Sequence, residues 1–426
     1  MNIGPIVFYA FVTLSIISML HYGFYLVGAN LYDVQAMKQR RGKQRRRHRT
    51  VPLVTVLVPA HNEALTIVRC LESIRVNTYR KTQVIVVNDA STDSTRKIVE
   101  DYIAKHPTRN FQIVSKHNNV GKAKALNSAL RRYVRGELVM TLDADSCIDK
   151  HAIARAVRYF DDPKIAGVAA NVRILHQPSV LGILQRFEHM IGYRSKKFYS
   201  ITNSEFVIGG VASTFRRSLM SRVGNYDTDS ATEDISLSLK IAALGNKRHR
   251  IIYGADILAM TEGVQSFGAL LRQRYRWKLG SIQNLIKFRR LTFARSSKYS
   301  RMLTFYRLPM AFLAELFLII EPLIVLYLVA LSVAQLSFGL IVGAYLAISG
   351  IILTTLWSDE HLGTRRKASL SLYVPAMYFV FYIMNIVQIV AIIRCLIQPK
   401  RLLGEPEHGS LWKSPLRLGK HALAGE

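Results

Sequence analysis

The sequence is poor in cysteine. Cys70, Cys147 and Cys395 are the three cysteines among 426 residues, and they lie far apart in the chain. None belongs to a CxxC pair or has a histidine at metal-ligand spacing, which argues against a disulfide framework and against a zinc site. This pattern is typical of a domain that folds in the reducing cytosol.

The sequence also lacks the glycine-rich fingerprints of two common nucleotide-binding folds. Neither GxGxxG nor GxxxxGK[ST] occurs, and VGKA at 120–123 has neither the first P-loop glycine nor the Ser/Thr. A Rossmann dinucleotide site and a P-loop phosphate site are therefore not predicted.

Acidic residues are scarce, with 28 Asp and Glu against 58 Lys and Arg, which gives a formal net charge of +30. A chain this basic can bind nucleic acid, but its densest basic run, KQRRGKQRRRHR at 38–49, directly follows an apolar segment. Attraction to anionic lipid explains a juxtamembrane run more simply. We therefore expect membrane lipid as a partner, and no nucleic acid.

A long uncharged run at the start of the chain predicts a membrane helix. No Asp, Glu, Lys or Arg occurs from Ile3 to Tyr32, which exceeds the roughly 20 apolar residues that a spanning helix needs. A cleaved signal peptide fits poorly because no positive segment precedes the run. We expect a membrane helix over 1–37 and a basic linker over 38–50. The positive-inside rule then puts the N-terminus outside and the following domain in the cytosol.

The C-terminal part contains further apolar segments. Two spans, roughly 308–332 and 337–357, and a segment from 368 to 393 predict about three membrane helices within 301–397, before a basic tail at 398–426. The expected location is therefore the inner (plasma) membrane, with several spans.

Charges complicate this topology. Glu315 and Glu321 fall inside the first of these C-terminal spans and either face a bundle interior or a wet path, or reach the lipid interface. Four spans put the tail outside, yet PKRLLGEPEHGSLWKSPLRLGK has five Lys/Arg against two Glu, which favours the cytosol. We therefore expect the segment 368–397, which contains Pro375, to include a re-entrant or interfacial part.

Strands alternate with helices between residues 51 and 265. LVTVLVPAHNE, QVIVVNDASTDSTRKIVEDYI, FQIVSKHNNVGKAKALNSALRRY and ELVMTLDADS each begin with an apolar strand, and the middle two continue into helices. This alternation predicts an α/β domain with a parallel sheet and with ligands at the carboxyl ends of its strands. Glu63, Asp89, Asp143 and Asp145 all follow such ends.

Asp143 and Asp145 are separated by one residue. In extended backbone, residues two apart project to the same side, so both carboxylates could reach one hard cation that also binds a diphosphate. A solvated acidic turn is the alternative interpretation.

Two later motifs contain acids and a basic aromatic face. Glu233 and Asp234 follow Thr232 at the start of a predicted helix, where acids also serve as simple caps. In the segment 266–300, which we expect to form amphipathic interface helices, Gln273, Arg276 and Trp277 have i, i+3 and i+4 spacing and share one face. A helix lying on the membrane surface would show the same pattern.

In this order, VIVVNDASTDST, DAD, TED and QRYRW resemble the processive family-2 glycosyltransferases. These are inverting GT-A enzymes that make cellulose, chitin, hyaluronan and poly-N-acetylglucosamine. VNDASTD, VGKAKALNSAL, GGVASTFRRS and ATEDISLSLKI are most similar to the poly-β-1,6-N-acetylglucosamine synthases, which share Asn88 where many other members carry an aspartate. The resemblance implies an α/β GT-A domain in the cytosol with flanking transmembrane helices. A single N-terminal membrane helix departs from several relatives, which have two.

The resemblance also implies roles for individual residues. Asp234 would be the catalytic base that deprotonates the acceptor, and Asp145 with Asp143 would bind Mg²⁺ or Mn²⁺. The residues that would bind the UDP-sugar donor are Pro59, Glu63, Asp89, Lys122, Asp143 and Arg276. The residues that would bind the growing polysaccharide are Glu233, Gln273 and Trp277. A small membrane partner subunit is a further partner that the resemblance allows but does not require.

Other functions share part of this pattern. Chitin, hyaluronan and cellulose-like synthases and glycolipid glucosyltransferases have the same motifs, whereas a polyprenyl-phosphate sugar synthase lacks QxxRW. A membrane-anchored nucleic-acid-binding protein would explain the charge but not the ordered carboxylates.

Overall fold

The computed structural model of the protein describes residues 3–43, 51–107, 110–175, 179–336 and 338–402. Residues 44–50 of the basic linker predicted at 38–50, and residues 403–426 of the tail predicted at 398–426, lie outside these ranges. The described parts of both segments are largely helical, because 38–43 continue the N-terminal helix and Pro399–Leu402 form a short helix. The predictions for the residues outside these ranges stay predictions.

One mixed sheet forms the centre of the α/β part of the chain. Its strand order is β3-β2-β1-β4-β7-β6-β8-β5. The strands are β1 Val54–Ala60, β2 Thr82–Asn88, β3 Phe111–Ser115, β4 Leu138–Thr141, β5 Ser146–Ile148, β6 Ile165–Ile174, β7 Ser213–Arg216 and β8 Arg250–Thr261. The first four strands of that order are parallel, as predicted. The prediction of a wholly parallel sheet was wrong, because β7 runs antiparallel to both β4 and β6, and β5 runs antiparallel to β8.

Helices cover the sheet and extend from it at both ends of the chain. They are α1 Ile3–Lys43, α2 Ile67–Arg75, α3 Thr95–Lys105, α4 Lys122–Arg132, α5 Ala152–Tyr159, α6 Val180–Ile201, α7 Arg217–Arg222, α8 Glu233–Gly245, α9 Phe267–Lys287, α10 Leu308–Ala334, α11 Gly339–Trp357, α12 Thr364–Ser371, α13 Val374–Leu396 and α14 Pro399–Leu402. A 3₁₀ turn at Arg289–Leu291 follows α9, and a π-helical turn at Met302–Arg307 leads directly into α10.

The core lies on both faces of the sheet. Val56 and Val58 of β1 pack with Leu71 of α2, whereas Leu57 between them packs with Leu126 of α4. This alternation is the period of two that a strand imposes on its side chains, and burial on both faces explains why the strand is a continuous apolar run. The faces are closed by helices, so ligands reach the sheet at the ends of its strands.

Within the described residues, two helical segments are long and apolar enough to cross a membrane, by length and composition. They are Met302–Ala334 and Val374–Leu396, and a shorter apolar helix covers Ile341–Trp357. The predicted segment 368–397 is divided between α12 and α13, and Pro375 lies in the first turn of α13 rather than inside a span. The placement of α1 and of these helices in a bilayer remains a prediction.

The two glutamates of α10 contact other helices. Glu315 forms a 2.7 Å ion pair with Lys278 of α9, and Glu321 accepts a 3.2 Å hydrogen bond from Asn385 of α13. These contacts favour the interpretation that both carboxylates face neighbouring helices.

Candidate active site

The two aspartates of the DAD motif lie in a tight turn. Strand β4 ends at Thr141, and the backbone N–H of Ser146 donates to the carbonyl of Asp143 at 2.9 Å. The prediction of extended backbone was therefore wrong, because the chain must reverse here to start β5. Asp145 is buried and its Oδ1 accepts hydrogen bonds from Ser146 Oγ at 2.8 Å and Thr261 Oγ1 at 3.4 Å.

A buried ion pair supports this turn and was missed by the sequence reasoning. Arg69 of α2 donates from Nη2 to the Asp145 carbonyl at 3.0 Å and pairs with Glu262 at 2.8 Å. Neither residue belongs to a motif, and they lie about 190 positions apart, so the sequence carries no local signal for their pairing.

Lys122 is the centre of the acid cluster. It is the first residue of α4, and its Nζ lies 2.8 Å from Asp143 Oδ1 and 3.2 Å from Glu233 Oε1. Burial alone would lower the pKa of Lys122, but Asp143, Glu233 and Asp234 outweigh it and raise the pKa well above its ordinary value. The ammonium therefore stays charged and holds the acids of two distant motifs together.

Asp234 lies in the first turn of α8, beside this lysine. Its Oδ1 accepts a hydrogen bond from the Ile235 N–H at 2.9 Å. Burial, and then the neighbouring charge of Glu233, raise the pKa of Asp234 to about 6, although Lys122 opposes the shift. A carboxylate with this pKa is deprotonated at pH 7 and still basic enough to accept a proton.

A glycine loop covers the cluster. A Cβ atom added at Gly210 would lie 3.0 Å from Lys122 Nζ and 3.6 Å from the Oδ2 atoms of both Asp143 and Asp234. The carboxylates of the DAD and TED motifs thus share one small space beside Gly210, and a Cβ atom there would require Lys122 Nζ to shift by a few tenths of an ångström.

Asp89 supports the loop that leads to Lys122. Its side chain is fully buried, and its two oxygens accept hydrogen bonds from the N–H groups of Val120 at 3.0 Å and Gly121 at 2.8 Å. Binding of a uridine base by Asp89 remains a prediction, whereas its contribution to the position of α4 is visible.

Pro59 and Glu63 belong to the end of β1. Pro59 is buried within the strand and lies opposite Val87 of β2. Glu63 is also buried; its Oε2 accepts from the Thr66 hydroxyl at 2.9 Å, and its backbone N–H donates to the Thr95 hydroxyl at 2.8 Å. These bonds connect the turn after β1 to the start of α3.

Among the hydrogen bonds and ion pairs of the described residues, none joins the predicted face of α9 to Lys122 or its acids. Arg276 is exposed, and Trp277 is partly buried, with the guanidinium of Arg274 stacked 4.3 Å from the centre of its ring. Arg274 in turn pairs with Glu188 at 2.7 Å. Gln273 is partly buried on the same helix. Roles for Gln273 and Arg276 in binding therefore remain predictions.

A separate cavity of about 950 Å³ lies elsewhere, between α1, α6, β6, β8 and the residues around 358–363. It is lined by ion pairs such as Arg173–Asp359 at 2.7 Å and Lys197–Asp33 at 2.6 Å. None of the candidate site residues lines it. The acid cluster around Lys122, and not this cavity, is therefore the candidate active site.

Comparison with known proteins agrees with the motifs. Residues 55–224 match the family described as Glycosyl transferase family 2, so this part of the chain is a family-2 glycosyltransferase domain, as the resemblance predicted. The chain is 33% identical over 243 residues to the poly-β-1,6-N-acetyl-D-glucosamine synthase of Staphylococcus epidermidis. The aligned region covers 56% of this chain and 57% of the relative. The chain is also 33% identical over 237 residues to the enzyme of the same name from Staphylococcus aureus, with 55% and 56% covered. The matched region thus spans little more than half of each relative.

A solved structure shares the fold. The mannosyltransferase of Pyrobaculum calidifontis, solved with GDP-mannose and Mn²⁺, superimposes with a TM-score of 0.54 at 22% identity, covering 88% of this chain and 99% of that one. Together with the α/β sheet, this confirms the predicted GT-A glycosyltransferase fold.

Proposed function

We propose that the protein is an inverting glycosyltransferase that adds N-acetylglucosamine from UDP-N-acetylglucosamine to a growing β-linked polysaccharide. The observation that carries this proposal is the acid cluster, in which Asp234 has a pKa of about 6 and shares the space under Gly210 with Asp143. The choice of sugar is supported by the names of the Staphylococcus relatives. The sheet and the GT-A fold support the class of reaction.

A divalent cation fits the donor set of this site. Among the described residues no group of three or more His, Cys, Asp or Glu side chains could hold a metal ion by itself. Asp143 and Asp145 offer carboxylates in one turn, however, and Mg²⁺ or Mn²⁺ in phosphate-binding sites is commonly held by one or two carboxylates, with substrate phosphates and water as the other ligands. When bound, the ion would neutralise the charge that develops on the leaving UDP.

Asp234 performs the proton transfer in the proposed reaction. The acceptor hydroxyl attacks C1 of the donor sugar on the face opposite UDP, its proton passes to a carboxylate oxygen of Asp234, and the C1–oxygen bond to UDP breaks. The configuration at C1 is therefore inverted from α to β. A single carboxylate is sufficient, because direct displacement forms no covalent sugar–enzyme intermediate.

Other residues orient the substrates. Lys122 lies where its ammonium can attract the diphosphate while it holds Asp143 and Glu233. Arg276 is exposed on α9 and offers a planar guanidinium for phosphate oxygens. Trp277 offers a flat ring for the acceptor sugar, and Gln273 and Glu233 offer hydrogen-bonding groups. Asp89 and Glu63 stabilise the loops on which the nucleotide would lie.

The membrane helices suggest coupling of synthesis to export. The apolar segments Met302–Ala334 and Val374–Leu396 support a multi-pass protein in the plasma membrane with its catalytic domain in the cytosol. The Lys278–Glu315 ion pair connects α9 to α10 and would keep the acceptor face next to such a path. A small membrane partner subunit remains a prediction.

The donor specificity tests the proposal directly. Purified full-length protein is incubated with Mn²⁺ or Mg²⁺ and, in separate reactions, UDP-N-acetylglucosamine, UDP-glucose, UDP-glucuronate and GDP-mannose. We expect UDP-N-acetylglucosamine to be consumed fastest. A pocket built to bond the acetamido group has buried polar groups that UDP-glucose would leave without hydrogen-bond partners. Mass analysis should show a β-linked product longer than a disaccharide. Faster use of UDP-glucose, or one sugar added to a lipid, would favour the cellulose-like or glycolipid alternative.

Metal dependence is tested at Asp145. We expect Asp145→Asn to weaken UDP binding about tenfold or more in Mn²⁺, since an interaction of a charged group contributes about 1.5–3 kcal/mol and about 1.4 kcal/mol is a factor of ten in affinity. With EDTA present the variant and the wild type should bind UDP equally weakly. Asp101→Asn, at an exposed position of α3, is the control and should behave as wild type. Equal UDP affinity of Asp145→Asn and wild type in Mn²⁺ would remove Asp145 from the metal site.

A further inference from the structure

Helix α9 faces the segment that leads to Asp234. Gly280, Gln283, Asn284 and Lys287 have i, i+3, i+4 and i+7 spacing, so they lie on one face of the helix, called here the α9 stripe. Each of the four contacts a residue between Asp227 and Thr232. The stripe continues the line of Gln273 and Trp277 along the same helix.

Gly280 allows α9 to touch Thr232. A Cβ atom added at Gly280 would lie 2.3 Å from Thr232 Oγ1 and 2.5 Å from Thr232 Cγ2. Both distances are far shorter than any van der Waals contact, so a side chain at position 280 would displace Thr232. Gly268, on the same helix, has room for a Cβ atom, with Arg272 Nη1 at an ordinary van der Waals distance of 3.7 Å.

Asn284 binds the same threonine. It is 1% exposed, and its Nδ2 lies 3.0 Å from Ser230 Oγ, 3.0 Å from Thr232 Oγ1 and 3.3 Å from the Thr232 carbonyl oxygen. Thr232 immediately precedes α8 and lies two positions before Asp234, and its side chain bonds to α9 rather than capping α8. The orientation of the first turn of α8 therefore depends on α9.

The rest of the stripe holds the segment at two more points. Gln283 Oε1 accepts from the Ala231 N–H at 3.0 Å, while its Nε2 donates to the Arg401 carbonyl of α14 at 2.5 Å. Lys287 pairs with Asp227 at 2.8 Å and with Asp229 at 3.1 Å. The segment is thus bonded along its whole length to one helix, which is itself bonded to the C-terminal helices.

We propose that Gly280 and Asn284 are positioning residues for the general base. They fix Thr232, Thr232 sets the first turn of α8, and that turn aims the Asp234 carboxylate at the acceptor. The inference rests on the proposed function because it takes Asp234 as the base. A displacement of about 1 Å at such a group can cost about 10²-fold in rate.

The activity test compares two glycine variants of α9 in the full-length protein. We expect Gly280→Ala to lower kcat about 10- to 100-fold, while the donor KM and the number and affinity of UDP sites stay within about twofold. Gly268→Ala, the matched helical control, should have wild-type kcat. Asn284→Ala should lower kcat in the same direction without adding bulk. A merely structural role would reduce the number of UDP sites rather than kcat per site, and wild-type kcat in both Gly280→Ala and Asn284→Ala would overturn the proposal.

Hydrogen–deuterium exchange separates this inference from the proposed function. Amides of residues 230–235 should exchange about tenfold faster in Gly280→Ala and Asn284→Ala than in Gly268→Ala, because the bonds that order the segment are lost. If the wild type transfers no sugar from any donor, the proposed function fails. The exchange rates still show whether Gly280 and Asn284 order residues 230–235. Unchanged exchange in both variants would refute this positioning.

Discussion

Asp234→Asn should abolish sugar transfer while UDP binding stays within about twofold of wild type. The asparagine keeps the size and the Ile235 N–H contact of the aspartate but accepts no proton, and loss of a positioned base costs about 10²- to 10⁴-fold in kcat. In the proposed mechanism other residues bind the donor, so we expect the nucleotide affinity to stay the same. Single-turnover transfer and UDP titration on the same preparation measure both effects.

The dependence of kcat on pH is a second test of Asp234 as the base. The base works when deprotonated, and the pKa of Asp234 is raised to about 6 by burial and by Glu233. The wild-type kcat should therefore be level above about pH 7 and fall about tenfold for each unit below pH 6. The residual rate of Asp234→Asn should lack this acidic limb. Asp101→Asn should keep the full wild-type profile, and a variant Asp234→Asn with wild-type turnover would show that the base lies elsewhere.

Lys122→Gln should cause the second largest loss. The ammonium lies 2.8 Å from Asp143 and 3.2 Å from Glu233 and lowers the pKa of Asp234 against the effect of burial. Hydrogen bonds to charged groups contribute about 1.5–3 kcal/mol each, so we expect kcat/KM at pH 7 to fall about 10²-fold or more. The loss has two parts, a misplaced cluster and a weaker attraction for the diphosphate.

The direction in which the pH profile of Lys122→Gln moves distinguishes loss of the charge from unfolding of the protein. Without the cation the pKa of Asp234 rises above about 6, so the acidic limb should move to higher pH and part of the activity should return at alkaline pH. Lys124→Gln is the matched control, because Lys124 is exposed on the first turn of the same helix. An acidic limb that stays at pH 6 in Lys122→Gln would contradict a charge role for Lys122.

Apolar runs in the sequence were enough to predict half of the sheet. Val54–Ala60, Thr82–Asn88, Phe111–Ser115 and Leu138–Thr141 are strands where the sequence has buried-strand patterns. A strand covered on both faces needs apolar side chains at nearly every position, and this is visible without any knowledge of its neighbours. Asp89, Asp143 and Asp145 could be placed near one edge of the sheet because they follow the carboxyl ends of predicted parallel strands.

The direction of β7 and the shape of the DAD turn could not be predicted in this way. Four residues, Ser213–Arg216, carry no signal for whether they run with or against β4. The turn from Asp143 to Ser146 depends on β5 pairing with β8, which is more than 100 residues away in the chain. Pairing over such distances is decided by the packing of the whole sheet.

The chain's own residue order determined which chemical groups the protein has: acids after apolar strands, Glu233 and Asp234 at the start of a helix, and the basic aromatic face of α9. The tertiary structure alone decided that Lys122 gathers acids from two motifs about 90 residues apart, and that Gly280 and Asn284 support Thr232. Periodicity reports only which side of an element is buried. The pairs of charged side chains that lie close together, and therefore the groups whose pKa is shifted, depend on distances of a few ångströms. These distances arise only when the elements pack together.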